Sequence, residues 1–194
     1  MAGILAVPLR WRLVAALAAA AVGVCAQTLA PKFDSGRLLV ENPGFRFLEG
    51  KALERLHNGA AIVVSIQISL LDRNRGAILT RAAGRFAVSY DLWEERFAVT
   101  LLGRPGKSVS HLSASESEAW CLNQLPLSTL ALSPSAPFWL RLDVRFEDRG
   151  DDPPLGEDLT LTLARLVEFF SRPPAPGESR KRAEAGPFQW KDFR

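Results

Sequence analysis

The two histidines and two cysteines are the side chains with the widest chemical repertoire in this chain of 194 residues. Neither His57 nor His111 has a histidine or cysteine three or four positions away, the spacing at which helical zinc ligands share one face. Serine catalysis is not indicated either, because no Gly-x-Ser-x-Gly turn is present to expose a nucleophile. The sequence therefore predicts no catalytic residue and no metal ligand.

The loop 103–108, Gly-Arg-Pro-Gly-Lys-Ser, resembles the end of a phosphate-binding P-loop. A P-loop has the pattern Gly-x-x-x-x-Gly-Lys-Ser/Thr, whose length lets backbone N–H groups surround the phosphates. Here only Arg104 and Pro105 separate the glycines, so an ordinary turn at the end of a hairpin is predicted. The acidic run 147–152 lacks the alternating oxygen ligands of an EF-hand loop and is interpreted as a solvated loop. No cofactor is predicted.

The N-terminus has the pattern of a secretory signal peptide. Arg10 and Arg12 form a basic region, and residues 13–24 form an unbroken apolar run. That run is shorter than the roughly 20 apolar residues that a membrane-spanning helix needs. Cleavage after Ala26 is predicted, which would leave a mature chain that begins at Gln27 in the periplasm or outside the cell.

Two alternatives would keep the chain at a membrane. The N-terminal segment could remain uncleaved as an anchor, or Cys25 could be the lipidated first residue of a lipoprotein, although Val24 before it is not the small residue that this motif prefers. If cleavage follows Ala26, Cys121 is the only cysteine left and an internal disulfide is excluded. Cys121 is predicted to be a buried, inert thiol.

The charge of the mature chain gives little reason to expect a nucleic-acid partner. The whole chain has 24 basic and 21 acidic residues and a net charge of +3. Loss of Arg10 and Arg12 with the signal peptide reduces this to about +1. No nucleic acid is therefore predicted as a partner, and a membrane is predicted only if the N-terminus is retained or lipidated.

Alternation of apolar and polar residues predicts an antiparallel sheet with a solvated outer face. The clearest strands are 61–72 and 138–147, and a hairpin is predicted between 85–92 and 96–102. With the first of these strands the hairpin would form a three-stranded meander. Shorter strands are predicted at 38–40 and 45–48.

Three segments have helical patterns. The first, 49–58, stops at Asn58-Gly59, and the second opens with a capping box at Ser113 and Glu116 and runs to about residue 124. The third, 158–171, is favoured as a helix by its length. The predicted fold class is α+β, mainly antiparallel β-sheet in a sandwich or open barrel, with two to three helices.

Composition divides the chain into three parts. We predict a signal peptide at 1–26, a β-rich globular domain at 27–171 and a Pro-rich, basic C-terminal tail at 172–194. The tail ends with two aromatic residues, Phe188 and Trp190, and is expected to dock back on the domain. Capture of a partner by the tail is the alternative.

The order of these elements resembles an exported, uncharacterised bacterial family, the proteins grouped as domain of unknown function 4390. The matching features are the helix that ends at Gly59, the strand 61–72, the hairpin from Ser89-Tyr90-Asp91 to Arg96-Phe97 and the late alternating strand, within residues 33–170. The family carries tryptophans and arginines after its long strand, whereas Asp72-Arg73-Asn74-Arg75 keeps only the arginines. The resemblance implies export and this fold, and it transfers no functional residue because the family has no established activity.

Aromatic and basic side chains on predicted surfaces are the remaining candidates for a site. Trp93 would lie at the hairpin tip, and Trp139, Arg141 and Arg145 would point outward from the late strand, with Trp190 in the tail. Exposed aromatic residues often mark protein interfaces. The sequence thus favours a non-enzymatic module that binds another envelope protein through its sheet edge, hairpin tip or tail.

Two other functions remain open at this point. The main alternative is a carrier that encloses a lipid or other apolar ligand in a cavity of the curved sheet, and another is an uncharacterised hydrolase. A cavity between the apolar faces of 62–68 and 138–142 would favour the carrier. A filled core with an exposed Trp93 or Trp139 would favour the module, and a buried polar cluster around His111 would favour the hydrolase.

Overall fold

The computed structural model describes residues 29–34, 36–103, 105–130, 135–147, 167, 170–171 and 179–193. The predicted signal peptide, Cys25 and the run 148–152 lie outside these ranges, as does most of the third predicted helix. Of that helix, only Val167, Phe170 and Ser171 are described, and all three are helical.

Nine strands and two α-helices lie wholly within the described ranges. The strands are β1 (Ala30–Asp34), β2 (Arg37–Glu41), β3 (Ile62–Leu71), β4 (Ile78–Asp91), β5 (Arg96–Leu102), β6 (Lys107–Leu112), β7 (Leu127–Ser128), β8 (Phe138–Glu147) and β9 (Ser179–Phe188). The helices are α1 (Lys51–His57) and α2 (Ala114–Asn123), and a short 3-10 turn spans Trp190–Phe193.

Two antiparallel sheets organise these strands. One has six strands in the order β6-β5-β4-β3-β8-β9, and the other has three in the order β1-β2-β7. The six-stranded sheet has two free ends, so it is not a closed barrel. The predicted α+β class with mainly antiparallel sheet is confirmed.

The long alternating segments form strands where the sequence predicts them. β3 pairs with β4, and β4 pairs with β5, which is the predicted meander. The late strand is β8, and it joins the other side of β3. The prediction of a strand at 45–48 is wrong, because this stretch is irregular and its backbone N–H groups bond to a side chain of α2.

Residues at the helix ends determine where α1 ends and where α2 begins. α1 is followed by Asn58 and by Gly59, whose φ of 81° is the left-handed conformation that glycine adopts easily. α2 begins with the predicted capping box, in which the Ser113 hydroxyl accepts from the Glu116 N–H and the Glu116 carboxylate accepts from the Ser113 N–H. The Ser113 N–H and the Ser113 hydroxyl both donate to the Glu116 carboxylate and hold its pKa below the ordinary value, the backbone N–H contributing most.

Glu118, in the middle of α2, fixes the irregular segment before α1. Its carboxylate is buried and accepts from the backbone N–H groups of Phe47 at 2.6 Å and Leu48 at 2.7 Å. The other oxygen lies 3.2 Å from the Arg46 guanidinium and 3.4 Å from the Asn42 amide nitrogen. One carboxylate thus satisfies buried donors that no strand or helix satisfies.

The apolar core lies on one face of the six-stranded sheet. The inward side chains of β3, β4, β5 and β8 belong to one buried cluster with residues of α1, α2 and the small sheet. Ile66, Ile68, Leu140 and Leu142 are 0% exposed. The small sheet and both helices cover this face, which gives the α+β layering.

The opposite face is polar and, at its centre, also buried, so the prediction of a solvated outer face is wrong for β3 and β8. Ser65, Gln67 and Ser69 on β3 and Asp143 and Arg145 on β8 are at most 6% exposed. Charged partners on other strands of the sheet replace water there, because the carboxylates of Asp143, Glu147 and Glu184 are each matched by a guanidinium. Examples are Arg85 with Glu147, Arg180 and Arg182 with Asp143, and Arg141 with Glu184.

Strand β9 comes from the segment that composition assigns to a tail. It pairs with β8 without a shift from Leu140 opposite Ala185 to Phe146 opposite Ser179. The described part of the large sheet therefore continues past the boundary at residue 171 that the sequence suggests. At its end, Gly186 has a φ of 144° and lies against the Trp139 ring.

Replacing Gly186 with alanine is expected to lower the free energy of unfolding by about 2 kcal/mol, since overpacking and a strained φ each cost at least about 1 kcal/mol. A Cβ atom there would lie 2.9 Å from Trp139 Cδ2 and 3.0 Å from the Phe138 carbonyl oxygen. Gly76→Ala is the control, because no atom lies within 4 Å of its Cβ position. Urea denaturation measures both variants, and equal stability of the two would contradict the packing argument.

Candidate interaction surface

The tip of the β4–β5 hairpin, residues 92–95, presents an aromatic side chain to solvent. Trp93 is 96% exposed, and Leu92 beside it is 56% exposed. Below the tip, the strands are paired without a break from Asp91 opposite Arg96 to Arg85 opposite Leu102. A large apolar side chain in full contact with water on a well-paired hairpin is an unusual surface feature.

Asp91 holds the tip in a defined turn. Its Oδ1 atom accepts from the backbone N–H groups of Trp93 at 2.8 Å and Glu94 at 3.0 Å. These hydrogen bonds, that from Glu94 first, keep the pKa of Asp91 below its ordinary value. Because the folded-state pKa is lowered, the contribution of Asp91 to the turn is present above the unfolded pKa and is lost only as the pH falls through the lowered one. Trp93 is thus held in a fixed turn at neutral pH.

A chain of three polar side chains lies next to the tip. Ser110 Oγ is 2.9 Å from His111 Nδ1, and His111 Nε2 is 2.9 Å from Glu94 Oε2. The His111 side chain is 68% exposed and that of Glu94 is 54% exposed. The His111 and Glu94 side chains thus lie open to water, and they do not form the buried polar cluster that would favour a hydrolase.

Trp139 and Trp190, predicted as surface aromatics, pack against other parts of the chain. Arg75 lies over the Trp139 ring at 4.0 Å from its centroid, and Gly186 lies against the same ring. Trp190 meets Phe33 of β1 edge to face, with ring centroids 4.3 Å apart. Both side chains are intermediate in exposure, so each anchors a segment rather than forming a common surface with Trp93.

Arg141 and Arg145 are also engaged within the chain. Arg141 Nε lies 2.6 Å from the Glu184 carboxylate on β9. Arg145 is 0% exposed and donates to the Phe170 carbonyl oxygen at 3.1 Å, so its prediction as a surface residue is wrong. Alternation placed Arg145 on the correct face of β8, but that face is covered at this point. Of the five predicted surface residues, Trp93 alone is fully exposed.

Two features of these surfaces were not predicted from the sequence. Leu92 extends the apolar tip, and its position next to Trp93 in a turn was a usable signal. The charged face of β9 was missed as well, although Lys181, Ala183 and Ala185 alternate with Arg180, Arg182 and Glu184. That period-two pattern is typical of a strand.

Cys121 is expected to be unreactive in the folded protein. It is 0% exposed, and burial, with a smaller contribution from Glu118, raises the pKa of its thiol well above the ordinary value. With a chain that starts at Gln27, so that Cys121 is the only thiol, Ellman's reagent should label native protein only as fast as it unfolds. Denatured protein is the positive control. Complete labelling within seconds under native conditions would show an accessible thiol.

The described residues give no indication of a metal site or of a membrane-spanning helix. No group of three or more histidine, cysteine, aspartate or glutamate side chains is placed to hold a metal ion within the described ranges. In the same part of the chain, no helix has the length and apolarity needed to span a membrane.

Comparison of the chain with protein-family models, with curated proteins and with solved structures finds no match in any of the three. The function is therefore inferred from the sequence and structure of this chain alone.

Proposed function

We propose that the chain is an exported, non-enzymatic module of the bacterial envelope that binds another envelope protein through the tip of the β4–β5 hairpin. The single observation that carries this proposal is Trp93, which is 96% exposed in a turn fixed by Asp91. Tryptophan is enriched among the residues that contribute most to protein binding, and a backbone already held in a turn loses little entropy when a partner binds.

The packing of the interior supports a module over a carrier. The faces that would have to line a ligand cavity, Ile62 to Ile68 on β3 and Phe138 to Leu142 on β8, are at most 3% exposed at their apolar residues and share one cluster with both helices. Apolar surface that is already buried against protein is not free to bind a lipid. The exposed apolar surface of the hairpin is at its tip instead.

Export is supported by the sequence of residues 1–26 and by the resemblance to an exported family. The partner is then another protein of the envelope, or a secreted one. The tip also carries Glu94 and Glu95 beside Leu92 and Trp93. We expect the partner to offer an apolar pocket for the indole ring with a polar or basic rim.

Photocrosslinking in the native host tests this function. A photoreactive amino acid in place of Trp93 should give one discrete crosslinked species in living cells, because the partner would bury this side chain. The matched control is the same amino acid in place of Glu54, an exposed residue of α1. Absence of an adduct at position 93, or the same adducts at both positions, would contradict the proposal.

A further inference from the structure

We propose that the outer edge of β9 binds an acidic, extended peptide segment of the partner by strand addition. This inference deepens the proposed function and rests on it, since it supplies a second contact for the same module. It goes beyond the hairpin tip by naming the chemistry of the partner segment.

The edge of β9 is long and regular enough to accept a strand. β9 ends the six-stranded sheet, and no described strand pairs with its outer edge. Its pairing with β8 continues for seven residue pairs without a shift, from Ala185 to Ser179. In a regular edge strand, every second residue directs its N–H and C=O groups away from the sheet, and a peptide can pair with them.

The opposite edge of the same sheet is a poorer template. β6 pairs with β5 through four residue pairs that include a register shift. Its residue His111 has a φ of 65°, outside the extended region. An irregular edge interrupts the ladder that an added strand needs, so of these two ends β9 is the one suited to strand addition.

Among the described residues, positive charge exceeds negative charge on one side of the β9 edge. Arg180 and Arg182 both bond to the same oxygen of Asp143, at 2.6 Å and 2.7 Å. One carboxylate therefore serves two guanidinium groups. The Arg182 side chain is 46% exposed, so part of its guanidinium can bond to a carboxylate that approaches from solvent.

The other side of the same edge borders a basic groove. Lys181 alternates with Arg180 and Arg182 and so points to the opposite face, where it lies 2.7 Å from Glu49. Lys181 and Ser179 line a groove of about 660 Å³ together with Lys51, Arg55, Glu49, Gly50, Ala52 and Phe146. Among the described residues that line it are three cations and one carboxylate, and Phe146 adds an apolar surface. Acidic side chains on either face of an added strand would therefore meet cations.

The same charges argue against a second copy of this chain as the occupant. Antiparallel pairing of two β9 strands would bring two sets of Arg180, Lys181 and Arg182 close together, and like charges across a sheet are destabilising. Cations on an edge strand thus prevent self-association while they favour an acidic strand.

A labelled peptide tests the edge directly. The probe is fluorescein-labelled Thr-Glu-Asp-Val-Glu-Asp-Val-Thr, titrated with the chain that starts at Gln27 and followed by fluorescence anisotropy. Two matched peptides serve as controls: one has lysine for each acidic residue, and one has the acidic sequence with alternate backbone nitrogens methylated. We expect binding of the first peptide alone, with slower hydrogen exchange of the amides in residues 179–185.

Substitutions on the two edge strands test whether the peptide binds at β9. The double variant Lys181→Gln, Arg182→Gln should bind the acidic peptide about tenfold more weakly, because charge-assisted hydrogen bonds are lost. Arg180 still pairs with Asp143 in this variant, so the sheet is retained, and its unfolding curve checks this. Lys107→Gln on β6 removes a cation from the other edge and should leave binding unchanged.

Each alternative outcome overturns the inference in a recognisable way. Equal binding of the methylated peptide would mean attraction by charge without a strand, and binding of a single-stranded oligonucleotide as tightly as the peptide would mean an unselective basic surface. Self-association that is blocked by Lys181→Pro would identify a second copy as the occupant. If the peptide fails to bind while crosslinking from position 93 persists, this inference fails and the proposed function stands.

Discussion

Replacement of Glu118 with glutamine is expected to lower the free energy of unfolding by about 3 kcal/mol, since a buried carboxylate with charge-assisted hydrogen bonds contributes this much. The Glu118 carboxylate accepts from Phe47 N–H and Leu48 N–H and bonds to Arg46 and Asn42. Glutamine has the same shape, but its NH₂ group would oppose one of these sets of donors. For a chain of this length, the melting temperature should fall by about 10 °C.

Glu54→Gln is the matched control for this prediction, because Glu54 is an exposed glutamate of the other helix. Its stability should stay within about 0.5 kcal/mol of the parent. Urea denaturation followed by circular dichroism measures both variants. If Glu118→Gln were as stable as Glu54→Gln, the segment before α1 would have to be held by packing alone.

Asp143→Asn is expected to cost about 3 kcal/mol and to release β9 before the rest of the sheet. The Asp143 side chain is 3% exposed, and its bonds to Arg180 and Arg182 join β8 to β9. An amide at this buried position leaves Arg180, 23% exposed, and Arg182, 46% exposed, without their counter-charge, and removing one partner of a buried ion pair is costly. Hydrogen exchange should therefore accelerate more in residues 179–185 than in β3.

Glu184→Gln is the control on the same face of the sheet. The Glu184 carboxylate pairs with Arg141, and both side chains are about a quarter exposed, at 26% and 23%. Water can replace this pair, so a loss of less than about 1 kcal/mol is expected. Uniform acceleration of exchange throughout the sheet in Asp143→Asn would show that β9 does not open separately.

The parts of the fold that follow from local signals could be predicted from the sequence. β3 and β8 alternate apolar and polar residues over most of their ten positions, so one face of each strand is apolar throughout. The ends of both helices could also be predicted, because the capping box at Ser113 and the glycine at position 59 act within a few residues.

The features that the sequence did not predict depend on partners far along the chain. Alternation predicts which residues of β3 and β8 lie on the polar face, Ser65 and Arg145 among them. It cannot show that charged side chains from other strands cover that face. β9 was assigned to a tail because it follows a Pro-rich run and contains a basic cluster, and Asp143 pairs with that cluster only once the sheet is formed. The irregular stretch at Phe47 similarly depends on Glu118, 71 positions later.

The residues predicted for the candidate surface also fall into those that local signals predict and those that depend on contacts far along the chain. Trp93 was predicted at the hairpin tip because a short turn exposes its side chains whatever else the fold contains. Trp139 was predicted to point outward, but Arg75 and Gly186 contact its ring. Trp190 belongs to the segment that was expected to dock back on the domain, and it packs against Phe33. The hairpin tip and the β9 edge are separated in the large sheet by β3 and β8, so one partner could contact both only by spanning these strands.

Export is the premise of the whole functional account, and intact mass tests it most directly. The protein is purified without a tag from the cytoplasmic and envelope fractions of its own host, and the mass of each species is measured. We expect the protein in the envelope fraction to have the mass of a chain that begins at Gln27. A full-length chain confined to the cytoplasm would contradict export and, with it, the proposal that the partner is an envelope protein.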